Sequence, residues 1–351
     1  MSPASQRSTR ASQPPLTSPF RIGEVEIANR ILLAPLAGIG NWFVRLQARR
    51  YGAGLAVSEM ISSHALKHRN ERTLREMLVV HPSEHPVSIQ LFGSDPEVME
   101  EAAAIAASSG ADMLDLNMGC PVKKVLKTGA GAALLSDPDL AVEVAAAAVR
   151  GSGLPVTTKV RSGLEPGDRS GLELSLRLVD EAGVAGIGFH PRPATVHHKG
   201  EPDYAMVREL VELTEVPVIV SGGLSDAAAA RHAYKVSGAD AVMVARGGFG
   251  YPWIFEELTG VREQPPSRAE ILAELRWVID NAERLYGGRA NRYLRKFYPW
   301  YMETLGVDRA TADGFQRLES LGEARSRLER LEVRPAPGHE PAPSSTGAGL
   351  A

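Results

Sequence analysis

"PVSIQLFGSDPEVMEEAAAIAASSGADMLDLN", residues 86 to 117, contains one complete structural repeat. It opens on a β-rich apolar run (86 to 92), passes through Ser94, Asp95 and Pro96, continues as an alanine-rich stretch ending at Gly110, and closes on a second apolar run (111 to 117). Ser or Asp ahead of proline starts a helix: the side-chain oxygen takes up a free backbone N–H, and proline's missing N–H is not needed in the first turn. Glycine suits the helix end, so the stretch reads strand, helix, strand. The same signals recur at Ser136, Asp137 and Pro138, ahead of a helix-compatible run that ends at Gly153.

Working outward, further β-rich runs are "ILLAPL" (31 to 36), "LAVSEM" (55 to 60), "PVTTKVR" (155 to 161), "GIGFH" (186 to 190), "PVIVSGG" (217 to 223) and "DAVMVARG" (240 to 247), eight in all with the first two. Strand and helix alternating eight times is the (β/α)8 TIM-barrel pattern, whose chemistry sits at the C-terminal ends of the strands. A doubly wound sheet uses the same unit; the count of eight favours the barrel. "FRIGEVEIANR" (20 to 30) predicts a hairpin closing the barrel bottom. From about residue 266 the pattern is helix only. The expected organisation is a disordered N-terminal extension (1 to 19), a catalytic barrel (20 to 265), a small all-helical domain (266 to 334) and a disordered proline-rich tail (335 to 351).

Of 351 residues, 44% are hydrophobic and 23% charged, and no apolar run reaches the roughly 20 residues that cross a membrane. Residues 1 to 19 lack the apolar core of a secretory signal, and a single cysteine excludes an internal disulfide, so a cytoplasmic location is expected. The net charge of -3 says little against a polyanionic partner, since binding needs one basic face. Arg284, Arg289, Arg292, Arg295 and Lys296 form such a candidate face, with no acidic residue between the first and the last; a solvated helix face is the plainer reading.

The strand ends carry polar residues that a barrel brings together. Gln90, Asp115, Asn117, Lys159, Arg161, His190 and Ser221 to Gly223 all stand there. Thr157, Lys159 and Arg161 share one strand face, normally apolar inside a barrel, so Lys159 meets an anion or reaches out to solvent. Gly186 and Gly188 leave space beside His190 that a flat ligand could fill, although a structural histidine fits the same pattern. His197 and His198 follow without a matching acidic pair, so no metal site is read. Glycines in "SGG" (221 to 223) and "ARGG" (245 to 248), with Arg246, suit a phosphate after strands seven and eight, unless they are purely conformational. Together these features describe flavin mononucleotide (FMN). Cys120 lies just beyond the fourth run, with Lys123, Lys124 and Lys127 after it. Core filler, a lysine-stabilised thiolate nucleophile and a neutral proton donor are all compatible with that setting.

The runs "LAPLAGIGNWFVR", "IQLFGSDP", "DLNMGCPVKKVLKTGAGAALL", "VTTKVRSG", "FHPR", "ARGGFGYPWIF" and "RKFYPWY" occur in this order. On them the chain resembles the tRNA-dihydrouridine synthases, and most closely their bacterial B-type branch. The resemblance implies an FMN-binding barrel, a helical domain that grips tRNA, and NADPH as reductant. It implies Cys120 as proton donor and Pro35, Leu36, Ala37, Gln90, Lys159, His190, Ser221, Gly222, Gly223, Ala245 and Arg246 as cofactor contacts. Asn117, Arg192, Arg295 and Lys296 become candidates to contact substrate. The implied reaction reduces a D-loop uridine to 5,6-dihydrouridine, with hydride from flavin N5 to C6 and a proton from Cys120 to C5; no obligate protein partner is implied. Leu36, Gly40, Asn41, Pro191, Ser221 and Phe297 depart from the family's usual methionine, threonine, aspartate, glycine, asparagine and histidine. Ser221 is expected to lose a flavin hydrogen bond, Pro191 to stiffen the loop after His190, and Phe297 to alter a tRNA contact. Two other classes compete: an FMN-dependent reductase of a free pyrimidine, which leaves the helical domain without a task, and a non-catalytic RNA-binding protein, which leaves Cys120, Lys159 and His190 without one.

Overall fold

A computed structural model describes residues 12–333. The chain divides into two compact units between Pro265 and Pro266. The first is built on an antiparallel hairpin, β1 (Phe20–Ile22) and β2 (Val25–Ile27), and nine further strands: β3 (Ile31–Leu33), β4 (Leu55–Val57), β5 (Ile61–Ser62), β6 (Val87–Phe92), β7 (Met113–Met118), β8 (Val156–Arg161), β9 (Gly186–His190), β10 (Val218–Ser221) and β11 (Ala241–Val244).

Eight of these strands close a parallel barrel. β3 pairs with β11 on one side and β4 on the other, and β4 pairs with β6, Ala56 opposite Val87, which completes the ring. The short β5 extends the edge of β6. The hairpin plugs the lower end: Phe20, Ile22 and Ile27 pack in one apolar cluster with Leu32, Leu55, Met113, Ile219 and Ala241 from the starts of the barrel strands. Its turn residue Gly23 has φ +56, and a Cβ there would lie 2.9 Å from Pro155 Cγ, so the turn is folded tightly under β8.

The helices between the strands begin as their sequences require. Asp95 caps Pro96–Ser108 by accepting from Val98 N, and Asp137 caps Pro138–Ser152 by accepting from Leu140 N. Residues 12–19 differ from the expected disorder. Gln13 Nε2 donates to the carbonyls of Tyr234 and Ala239, both at 2.9 Å, Leu16 is buried, and Arg30 donates to Ser18 Oγ and the Pro19 carbonyl. Polar composition concealed this because the segment is fastened by hydrogen bonds to backbone far away in sequence. Residues 1–11 and the expected tail over 335–351 lie outside the described residues.

The second unit is helical, with Arg268–Tyr286 the longest element, started by a capping box of Ser267 and Glu270. Phe297 is 3% exposed and packs against Tyr293 and Trp300, so it is a core residue of this unit. Among the described residues no helix is long and apolar enough to cross a membrane.

Candidate active site

Strand register stacks the polar residues of the barrel mouth in layers. Gln90 lies opposite Asp115, and Asp115 opposite Thr157. One step up, Asn117 lies opposite Lys159 and Lys159 opposite Gly188; one step further, Arg161 lies opposite His190. The two-residue period of a strand sends each of these side chains to the same interior.

Of these, Gln90, Asn117, Lys159, Arg161 and His190 line a cavity of about 760 Å³, with Asp115 and Thr157 buried beneath it. Its walls include Pro35, Leu36 and Ala37 from the loop after β3, Gln90, Asn117, Cys120, Lys159, His190 and Arg192, and Ser221 to Gly223 and Ala245 to Gly247 after the last two strands. No carboxylate lines it, whereas Lys159, Arg161, Arg192 and Arg246 all do. Met60, Val122, His197, His198 and Phe249 also line it without having been singled out as ligand contacts. Met60 ends the run at 55 to 60, so its position at a strand end was the available signal.

Gly188 acts differently from its expected use. A Cβ on Gly188 would lie 2.8 Å from Lys159 Cδ, so the space this glycine leaves holds the lysine stem and not a ligand ring. Gly222 and Gly223 have φ +93 and +81, and their missing side chains admit His190 on one side and the Tyr204 hydroxyl on the other. The His190 ring lies 6.0 Å from that of His198 and nearly parallel to it.

Electrostatics follow from enclosure. Burial raises Asp115 to about 6 against the lowering effect of its hydrogen bonds to Thr157 and Gln90. Desolvation, then Arg161, lowers Lys159 to about 7, with Asp115 opposing. Burial and the surrounding cations hold His190 well below the ordinary imidazole value and His198 at about 4, so both rings are neutral at pH 7.

Cys120 is partly exposed, and its backbone is held on every side. Asn117 Oδ1 accepts from Cys120 N at 2.9 Å, the Gly119 carbonyl accepts from Arg161 Nε at 3.0 Å, and the Cys120 carbonyl accepts from Ala132 N at 3.1 Å. Lys123, Lys124 and Lys127 are exposed and lie outside the cavity wall, whereas Arg161 lies in that wall and holds the Gly119 carbonyl. Arg161 also donates to the carbonyls of Pro193 and His197, tying the Cys120 loop to the loop after β9. Arg192 reaches Gly200 O and approaches His190 Nε2 at 3.5 Å. Of the departures, Asn41 caps the helix Trp42–Arg50 through Phe43 N and Val44 N, and Ser221 Oγ donates to Phe189 O at 3.4 Å. Arg295 and Lys296 belong to the second unit and are exposed there, Arg295 donating to Leu318 O and Lys296 lying over the Tyr293 ring. No group of three or more His, Cys, Asp or Glu side chains that could hold a metal converges among the described residues.

Comparison with known proteins defines the class as a flavin-dependent oxidoreductase built on a parallel barrel. The fold is similar to that of histamine dehydrogenase from Rhizobium sp. 4-9, with a TM-score of 0.55 at 14% identity over 82% of this chain and 51% of that one. The family described as Dihydrouridine synthase (Dus) matches residues 32–334. The chain is similar to tRNA-dihydrouridine synthase B of Proteus vulgaris, 36% identical over 322 residues covering 90% of this chain and 98% of that protein. It is similar to tRNA-dihydrouridine synthase B of Escherichia coli strain K12, 35% identical over 322 residues with coverage of 90% and 98%. The chain therefore belongs to the dihydrouridine synthase family, in its B-type branch.

Proposed function

We propose that this protein reduces a uridine in the D-loop of tRNA to 5,6-dihydrouridine, with FMN as cofactor and NADPH as reductant. The observation that carries the reading is the cavity itself: it has cationic side chains and no carboxylate, and the thiol of Cys120 stands in its wall beside glycine-built strand ends. Its size lies within the range of small-molecule sites.

The residues present fit FMN. Gly222, Gly223, Ala245 and Arg246 would hold the phosphate, combining backbone that bends at positive φ with a guanidinium. Pro35, Leu36, Ala37, His190 and Ser221 would line the ring, with Gln90 and Lys159 at its polar edge. FMN held there would supply the hydride for C6 of the uracil, with NADPH as the source of its electrons.

The chain's own part is to admit the base, orient it and deliver a proton. A stacked base cannot reach the mouth of a barrel, so the uridine enters extruded from the tRNA fold. Asn117 and Arg192 would meet the base or its phosphates. Cys120 Sγ holds the proton that goes to C5, which requires the protonated thiol, and Lys159 in its charged form stabilises negative charge at the polar edge of the site. Arg295 and Lys296, exposed on the helical unit, would grip the tRNA backbone. The test is NADPH oxidation by the purified yellow protein with tRNA or free uridine as acceptor. Turnover of free uridine without turnover of tRNA overturns the substrate assignment.

A further inference from the structure

The lowest polar layer of the mouth has a direction. Thr157 Oγ1 donates to Asp115 Oδ1 and Gln90 Nε2 donates to Asp115 Oδ2, both over 2.6 Å. An amide whose nitrogen faces a carboxylate turns its oxygen the other way, and Gln90 Oε1 accepts from Asn117 Nδ2 at 3.0 Å. The same constraint turns Asn117 Oδ1 toward the thiol loop, where it accepts the N–H groups of Cys120 at 2.9 Å and Gly119 at 3.3 Å. Both ends of the relay demand this one orientation, because the two backbone N–H groups only donate and an ionised carboxylate only accepts. Asp115 and Gln90 are 1% and 0% exposed, so these bonds are enclosed by protein.

We infer that Asp115 is a positioning residue, which holds the Gln90 amide with its oxygen toward Asn117 and so steadies the Asn117 amide that seats the Cys120 backbone. Removing it frees Gln90 to turn over. The turned amide would set Gln90 Nε2 against Asn117 Nδ2, donor against donor, and push Asn117 from its place. The Cys120 loop then keeps its anchors at Arg161 and Ala132, while the two N–H bonds on the Asn117 side weaken. This inference deepens the proposed reaction and rests on that reading only for its effect on turnover.

The test is amide hydrogen exchange at Gly119 and Cys120 in the full-length protein with its cofactor. Asp115→Ala is expected to speed exchange there by about tenfold, the factor set by one lost hydrogen bond. Asp115→Asn is expected to restore slow exchange, since its carboxamide oxygen still accepts from Gln90 while its nitrogen donates to Thr157. Asp115→Ala in an Asn117→Ala background is expected to add nothing, because both act on the same bonds. Should Asp115→Ala fail to fold, Gln90→Met cuts the relay at its middle with little change of volume and carries the same prediction. Unchanged exchange in the single variants, or additive effects in the double, overturns the inference. A relay that behaves as expected in a protein that forms no dihydrouridine leaves this inference standing and removes the proposed reaction.

Discussion

His190 occupies the space that Gly222 leaves: a Cβ built on Gly222 would lie 2.3 Å from His190 Cδ2 and 2.4 Å from Nε2. The ring is thereby held between β9, the turn after β10 and the ring of His198. This contact joins the turn assigned to the cofactor phosphate to the wall assigned to its ring.

Gly222→Ala is expected to displace His190 and to strain a backbone at φ +93, at a cost of about 1–3 kcal/mol for the conformation alone. The bound flavin per polypeptide should fall and the melting temperature with it. Full flavin content at an unchanged melting temperature would show that the turn and the ring are not coupled.

Cys120→Ala is expected to lower turnover by about 10²–10⁴-fold, the range for loss of a general acid. Flavin content and tRNA affinity should stay unchanged, because the anchors of this loop are bonds to its backbone. Normal turnover would refute the proton-donor role.

Arg295→Ala combined with Lys296→Ala is expected to weaken tRNA binding at unchanged flavin content. Two lost phosphate contacts should reduce the slope of log K against log salt by roughly 1.5. An identical affinity across a salt series would mean that this face does not meet the backbone.

Lys159 has its folded pKa lowered to about 7 from an ordinary 10.5. Between these values the unfolded chain binds more protons than the folded one, so this group makes stability rise with pH across that window. An anionic cofactor ring held at this edge, as proposed, would reverse the preference and favour the charged amine. At pH 8 binding should therefore take up about one proton per site, measured by calorimetry in buffers of different ionisation enthalpy. Lys159→Met should abolish the uptake; equal uptake in the variant would assign the proton to another group.

Glu84 and Arg45 form an ion pair with both side chains 0% exposed, Nε to Oε2 at 2.8 Å, and Arg45 also donates to Gly40 O behind the loop carrying Pro35 to Ala37. Glu84→Gln is expected to lower stability by about 3 kcal/mol, since it leaves a buried guanidinium uncompensated. Chemical denaturation measures it, and a loss below about 1 kcal/mol would mean that solvent reaches the pair.

The barrel was legible because each strand run is short, apolar and bounded by a helix cap such as Asp95 or Asp137. The site was legible as a set of strand ends, since parallel strands of one barrel deliver their C-terminal residues to one mouth. Contacts across the ring were not legible. Nothing local in the sequence says that the stem of Lys159 fills the place of Gly188, or that the lysines after Cys120 are exposed while Arg161 holds the Gly119 carbonyl. Asp115 stood at a strand end like its neighbours, and only register against Gln90 and Thr157 reveals it as the root of a hydrogen-bonded relay. Phe297 sits in a basic run, which concealed its place in an aromatic core.

The central claim is tested most directly by incubating tRNA with the purified protein and NADPH, then locating dihydrouridine by mass spectrometry along the tRNA. Dihydrouridine at one D-loop position is the predicted result. Its absence, with FMN bound and NADPH still oxidised, would contradict the account and leave a reductase acting on a small molecule.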